Sequence, residues 1–290
     1  MFIQQLVNGL ILGSTYALIA LGYTMVYGII ELINFAHGEI YMFGAFAGLL
    51  LVTVLKVPFF LAFFLAMALA ALLGMTVEFL AYRPLRHSTR LAALISAIGA
   101  SIFLQNLALL IMGAQPYTFP SPVEAKVYQT PFFTISRLEI IILIFSFLLM
   151  IALTLFIQRT KIGKAMRAVA QDKDTASLMG ININQIITVT FAIGSALGAA
   201  SGVMVGIYFR TVTFSMGLMP GLKGFVAAVL GGIGNIPGAM MGGILLGITE
   251  TIGAAYISSQ YRDAVAFALL IMVLLLKPTG LLGRPVQEKV

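Results

Sequence analysis

No cysteine occurs among the 290 residues, which excludes disulfides, thiol catalysis and cysteine metal sites. Charge is scarce too. Only 9% of the residues are Asp, Glu, Lys or Arg, against about 25% in a soluble domain. No polar stretch exceeds about thirty residues, short of the ~50 that a soluble domain needs. Several chemical signatures are missing. There is no G-x-x-x-x-G-K-[ST] phosphate loop, because Gly163-Lys164 is followed by Ala165, so ATP hydrolysis by that device is excluded. H-E-x-x-H, G-x-S-x-G and clustered carboxylates are absent, as are voltage-sensor arginine ladders and the T-V-G-Y-G ion filter. An enzyme is not expected.

What is present is apolar sequence. The chain is 60% hydrophobic, and runs of ~20 apolar residues, enough to cross ~30 Å of hydrocarbon, recur along its length. The expected fold is all-α, a polytopic transmembrane helical bundle of about 8–9 spanning helices. Apolar runs place them near 6–30, 40–55, 58–77, 91–112, 140–157, 185–208, 238–256 and 264–276, with a shorter candidate at 222–233. Residues 1–290 read as one transmembrane domain. No Lys or Arg precedes Lys56, so 1–30 is expected to be the first spanning helix and not a cleaved signal.

The net charge of +7 comes mainly from three clusters: Arg83, Arg86 and Arg90; five basic residues from Arg159 to Lys173; and Lys277, Arg284 and Lys289. Basic residues in short loops mark the cytoplasmic side. The charge therefore reports topology, and nucleic acid is not an expected partner. With all three clusters inside, parity puts the N-terminus outside and requires an even number of crossings between 184 and 277. That count is met if the segment 223–247 splits at Gly231–Gly238 into a short helix and a full one, so that a broken or short helix lies near 222–238. Gly-Gly, Gly-Asn and Ile-Pro-Gly are breakers of this kind. The long loop 113–139, with four prolines, is expected on the outer side, either ordered and non-helical or a mobile connector.

The cytoplasmic loop at about 159–184 is the most patterned segment. Asp172 and Asp174 precede a short run through Ala176, and Gly180 follows. Asp is a preferred N-cap and Gly suits the position just past a helix end. A short cytoplasmic helix is expected, with Lys164, Arg167, Ala168, Asp172, Asp174, Ala176 and Gly180 on its surface or at its ends.

Gly194, Gly198, Gly202 and Gly206 fall on one face of the sixth apolar run, where another helix can approach to backbone contact. Packing within the subunit and a subunit or moving interface are both open. Glu31, Asn34, His37 and Glu39 lie between the first two runs; a structural or gating role and a place on a transport path both remain open. His37 and Glu39 are two apart and do not share a helix face. Ser96, Ser101, Gln105 and Asn106 form a polar set in the fourth run. Glu250 has the same ambiguity. Asn235 sits at the break in the apolar segment. Ser96, Gln105, Asn106 and Asn235 are taken as candidates for a substrate path.

Five stretches carry a family resemblance across the whole chain: 8–30, 33–42, 94–106, 227–243 and 278–285. They resemble the LivH-type (LivH/BraD-like) permeases, the inner-membrane subunits of bacterial branched-chain amino acid ABC importers. The resemblance implies a permease that pairs with a LivM-like second permease, docks two LivG/LivF-like cytoplasmic ATPase subunits, and receives Leu, Ile or Val from a periplasmic binding protein. ATP and Mg would be held by those ATPases, with no cofactor on this chain. It also implies that 159–184 carries the ATPase-coupling helix, although the usual glutamate-alanine-alanine wording is replaced here by Arg167-Ala168-Val169-Ala170. Related permeases serve other amino acids, amides or urea, and a stand-alone secondary transporter is the alternative of another class.

Overall fold

The computed structural model describes residues 1–86, 88–124 and 126–283. Arg284 and Lys289 of the basic tail lie outside the described residues. The helices are α1 (Phe2–Ile30), α2 (His37–Thr53), α3 (Phe59–Val77), α4 (Arg90–Met112), α5 (Arg137–Arg159), α6 (Lys161–Gln171), α7 (Lys173–Leu178), α8 (Ile183–Tyr208), α9 (Leu218–Gly231), α10 (Ile236–Tyr256) and α11 (Arg262–Leu276). A π-turn (Glu78–Tyr82) and a 3₁₀ turn (Arg83–Leu85) prolong α3. Among the described residues, seven helices are long and apolar enough to cross a membrane, and α2 and α9 are shorter apolar helices. The split of the 223–247 segment falls where glycine places it, with Gly232 and Gly234 both at positive φ.

The bundle has two ends. At the end where α1 begins, here the N-face, Gln4 bonds Thr134. The described residues of the loop 113–139 form short strands there: β2 (Val127–Gln129) pairs with β3 (Thr134–Ser136), and β1 (Tyr117–Thr118) pairs with β4 (Thr211–Val212) just after α8. A capping box between Ser136 and Glu139 starts α5. The opposite C-face carries Arg86, α6, α7 and the segment after α11, whose Leu281 N–H donates to the Leu230 carbonyl.

The helices form an inverted repeat. The series α1, α2, α3, α4 recurs upside down as α8, α9, α10, α11. Thus α1 packs on α9 and α10, while α8 packs on α2 and α3. Where α1 and α8 cross, Gly22 meets Gly194, and one turn-pair away Ser201 donates to the Thr15 carbonyl at 2.9 Å. The centre of this pseudo-twofold is where α2 and α9 begin. Neither starts at a face. His37 is buried at the level of Gly22 and Gly198, inside the spans of α1 and α8. Non-helical segments, 31–36 and 209–217, reach these points from opposite faces. A Cβ on Gly38 would strike the Gly217 carbonyl, and one on Gly217 would strike Gly38. Only glycine permits two helix starts to meet so closely. Irregular backbone at this depth is tolerated because protein surrounds it.

Candidate functional site

At the C-face, the expected single cytoplasmic helix is two helices. Thr160 caps α6, accepting from Gly163 N–H at 3.0 Å, and Asp172 caps α7, accepting from the N–H groups of Asp174 and Thr175 at 3.0 and 3.1 Å. Gly180 sits at φ 82 and ends the turn. Gly163, Met166 and Val169 face inward, as does Ala176, whereas Lys164, Arg167 and Asp174 are exposed. The tip is the residue pair that sequence reasoning missed: Leu178 and Met179 are 88% and 78% exposed. The signal was two apolar residues just before Gly180, outside any spanning run. Between α7 and the Arg86 segment opens a cleft of about 680 Å³, lined by Leu32, Arg86, Lys173, Asp174, Asn182 and Asn184.

Arg86 ties this floor to the bundle. It pairs with the fully buried Glu78 and donates to Asn184 at 2.5 Å, while Thr188 donates to the second Glu78 oxygen at 2.8 Å. Burial pushes the Arg86 guanidinium below its ordinary pKa, and the Glu78 charge pulls it back up, which keeps a paired guanidinium charged.

At the bundle centre, His37 and Glu39 point apart, as their spacing requires. The His37 ring lies between Gly22 and Gly198 and meets the Tyr23 ring edge-on with centroids 4.7 Å apart. Glu39 turns to α4, accepting from Ser101 at 3.4 Å. Asn34 accepts from Tyr82 at 2.9 Å. Among the described residues there is no group of three His, Cys, Asp or Glu able to hold a metal.

Towards the N-face, Glu250 of α10 is fully buried and binds three partners: Lys223 of α9 at 2.8 Å, Arg262 of α11, and Tyr16 of α1 at 3.2 Å. Lys223 also pairs with Asp263 at 2.6 Å. Lys223 and Arg262 were not singled out from the sequence. The available signal was a lysine inside an apolar run of 222–233. The pairs Glu78–Arg86 and Glu250–Arg262 occupy matching places in the two halves, each carboxylate just after α3 or late in α10 and each arginine at or just before the helix that follows.

The four glycines of α8 face α1, α2 and the β4 segment of the same chain. The four candidates for a substrate path are not on one wall. The Ser96 hydroxyl donates to the Ala81 carbonyl at 2.7 Å, and Asn106 donates to Ile102 in its own helix at 2.8 Å. Asn235 caps α10 and donates to the Leu282 carbonyl at 2.6 Å. The Gln105 side chain holds no hydrogen bond among the described residues.

A family model described as "Branched-chain amino acid transport system / permease component" matches residues 5–274. The chain is 49% identical over 301 aligned residues to the high-affinity branched-chain amino acid transport system permease protein LivH of Escherichia coli (strain K12), covering 100% of this chain and 98% of that protein. It is 48% identical, with the same coverage, to the corresponding permease protein BraD of Pseudomonas aeruginosa. Among solved structures, PsaBC from Streptococcus pneumoniae in complex with Fab aligns with a TM-score of 0.50 at 12% identity, over 94% of this chain and 91% of that one; this is a likeness of fold alone.

Proposed function

Because the chain belongs to the family of branched-chain amino acid transport system permease components, we propose that it is the permease subunit of an ABC importer moving leucine, isoleucine and valine across the bacterial inner membrane. The observation that carries this reading is 49% identity across 98% of the E. coli LivH protein. The N-face is then periplasmic, together with the N-terminus, and the C-face cytoplasmic, together with the C-terminus. Basic residues of the Arg86 and α6–α7 segments lie at that C-face, as the positive-inside bias requires.

ATP and Mg belong to two ATPase subunits that seat on α6 and α7. Leu178 and Met179 supply an apolar anchor at the tip, and Lys164 and Arg167 a polar rim, the usual division of an interface. A partner's push on α7 passes to α8, which follows it directly, and through the Arg86–Glu78–Thr188 contacts to the end of α3. Both helices pack on the half-helix α2. A mechanical path thus runs from the cytoplasmic floor to the bundle centre.

A second, LivM-like permease completes the membrane unit, and a periplasmic binding protein delivers the solute. The outer face of α4 is a fitting interface: Ile95, Phe103 and Leu110 are exposed there, while the half-buried Gln105 lies on the Ser101 side of the helix, its amide without a partner among the described residues. An amino acid zwitterion needs a few polar groups for its two ends along a mostly apolar wall, and each site must release as well as bind.

The test is leucine uptake by proteoliposomes carrying this chain with its second permease, ATPases and binding protein. Uptake should require ATP, the ATPases and the binding protein together. Uptake by this chain alone, driven by an ion gradient, would favour the secondary transporter instead.

A further inference from the structure

Beside the Glu250 cluster, a cavity of about 300 Å³ opens at the N-face between α1, α8, α10 and α11, walled by Gln5, Asn8, Leu12, Tyr208, Thr251 and Arg262. That volume is at the small end of ligand sites, which run ~300–1,000 Å³. Three surfaces of different chemistry converge on it. Gln5 and Asn8 bring neutral amides; the Gln5 side chain holds no hydrogen bond among the described residues, and the Asn8 oxygen accepts only from Gln4, at 2.9 Å. Leu12 and Ala254 give an apolar floor. Arg262 brings a guanidinium whose side chain is 35% exposed and which meets Glu250 through Nε. Its terminal nitrogens hold no other ion pair among the described residues.

We propose that this cavity binds the transported solute itself, an α-amino acid zwitterion with a small apolar side chain, on its way from the N-face. The carboxylate sits on the terminal nitrogens of Arg262, the ammonium on the amide oxygens of Gln5 and Asn8, and the side chain on Leu12 and Ala254. This rests on the branched-chain amino acid reading and gives it a residue-level site. The guanidinium fork matches carboxylate geometry. The cluster behind it, Lys223 and Arg262 against Glu250 and Asp263, sums to zero formal charge, so a zwitterion enters without adding net charge, whereas an anion or a cation would. Sharing the guanidinium with Glu250 also weakens its hold on the solute, which lets the site empty again.

The experiment uses the complete importer in proteoliposomes and photo-leucine, a diazirine analogue of leucine, as the probe, with cross-links mapped by mass spectrometry. Label should appear within 5–12 or 251–255 and be suppressed by excess leucine. Arg262→Gln should lower that label about tenfold, the loss expected for one charge-assisted hydrogen bond. Since Arg262→Gln also disturbs Glu250, Ala254→Phe fills the cavity without touching an ion pair and should lower the label as far; co-purification with the other subunits verifies that each variant assembles. Label confined to α4, or full label in assembled Ala254→Phe, overturns the site while leaving the function standing. A wild-type importer that takes up no branched-chain amino acid overturns the functional reading, and this ligand assignment with it.

Discussion

The α8 glycines give a graded test of how the bundle is packed. A Cβ on Gly202 would collide with the Tyr41 carbonyl oxygen, with the Tyr41 carbonyl carbon at 3.0 Å and the Ala45 nitrogen at 3.3 Å. All three are backbone atoms of α2, so relief requires the two helices to part. At Gly206 the nearest atoms are side-chain carbons, Val212 Cγ2 at 3.1 Å and Phe119 Cδ2 at 3.3 Å, which can yield by small rotations. Replacing Gly by Ala in a helix gains roughly 1 kcal/mol of propensity, while overpacking costs ~1–3 kcal/mol. The net for Gly202→Ala is then a loss of up to about 2 kcal/mol, whereas Gly206→Ala should stay within about 1 kcal/mol of wild type. Gly202→Leu should fail to assemble. Thermal stability of the purified subunit or complex, followed by size-exclusion profile after heating, reads the series. A Gly202→Ala protein as stable as wild type, or Gly206→Ala as the worst of the pair, would refute backbone contact between α8 and α2.

Ala176→Pro removes the bond from the Ala176 N–H to the Asp172 carbonyl and breaks α7 at a cost of ~3 kcal/mol; ATPase stimulation and uptake should both fall in a subunit that still inserts, and normal coupling would remove α7 from the docking role. Lys223→Met leaves the buried Glu250 with one cation fewer, a loss of ~3 kcal/mol or more, and Lys223→Met with Glu250→Gln should recover part of it; melting temperatures of the two variants decide this, and an unchanged melt in Lys223→Met would show the pair to be idle. Asn235→Ala deletes the α10 cap and the bond to Leu282 and should lower stability by ~1–2 kcal/mol without altering preference among the three amino acids in uptake competition. Gln105→Ala should slow uptake with the same preference, because an apolar pocket separates one methylene by only ~1–3 kcal/mol; a changed preference would mean that the membrane chain reads the side chain.

Much of the bundle was legible because hydrophobic length is set by the bilayer. Apolar runs located every spanning helix, and Gly232 and Gly234 ended α9 where the breakers stood. Asp172 and Gly180 marked the ends of α7 because capping chemistry is local. The inverted repeat was not read. Its trace in sequence is small: Phe35-Ala36-His37-Gly38 and Phe214-Ser215-Met216-Gly217 each lead into a half-helix, and only the contact of Gly38 with Gly217 shows that they are equivalents. The depth at which α2 and α9 begin was hidden for a related reason, since an apolar coil inside protein has the composition of a helix. The ion cluster was hidden because Lys223, Glu250 and Arg262 are 27 and 12 residues apart along the chain, and no spacing rule links them.

The matching clasps, Glu78–Arg86 near one face and Glu250 with Lys223 and Arg262 near the other, bear on how tightly the membrane stays sealed. A cell holds an ion gradient across this bilayer, and a protein that passes solutes must never become a continuous pore. Parting one buried clasp leaves an uncompensated charge, at ~3–5 kcal/mol, so each end opens unaided only in about one molecule per 200 to 5,000. With the two ends acting independently, both stand open together only about once in 10⁴ to 10⁷. Two modest locks in series thus give a seal that neither could give alone, and a single mutation at either end should raise proton leak well before it abolishes transport.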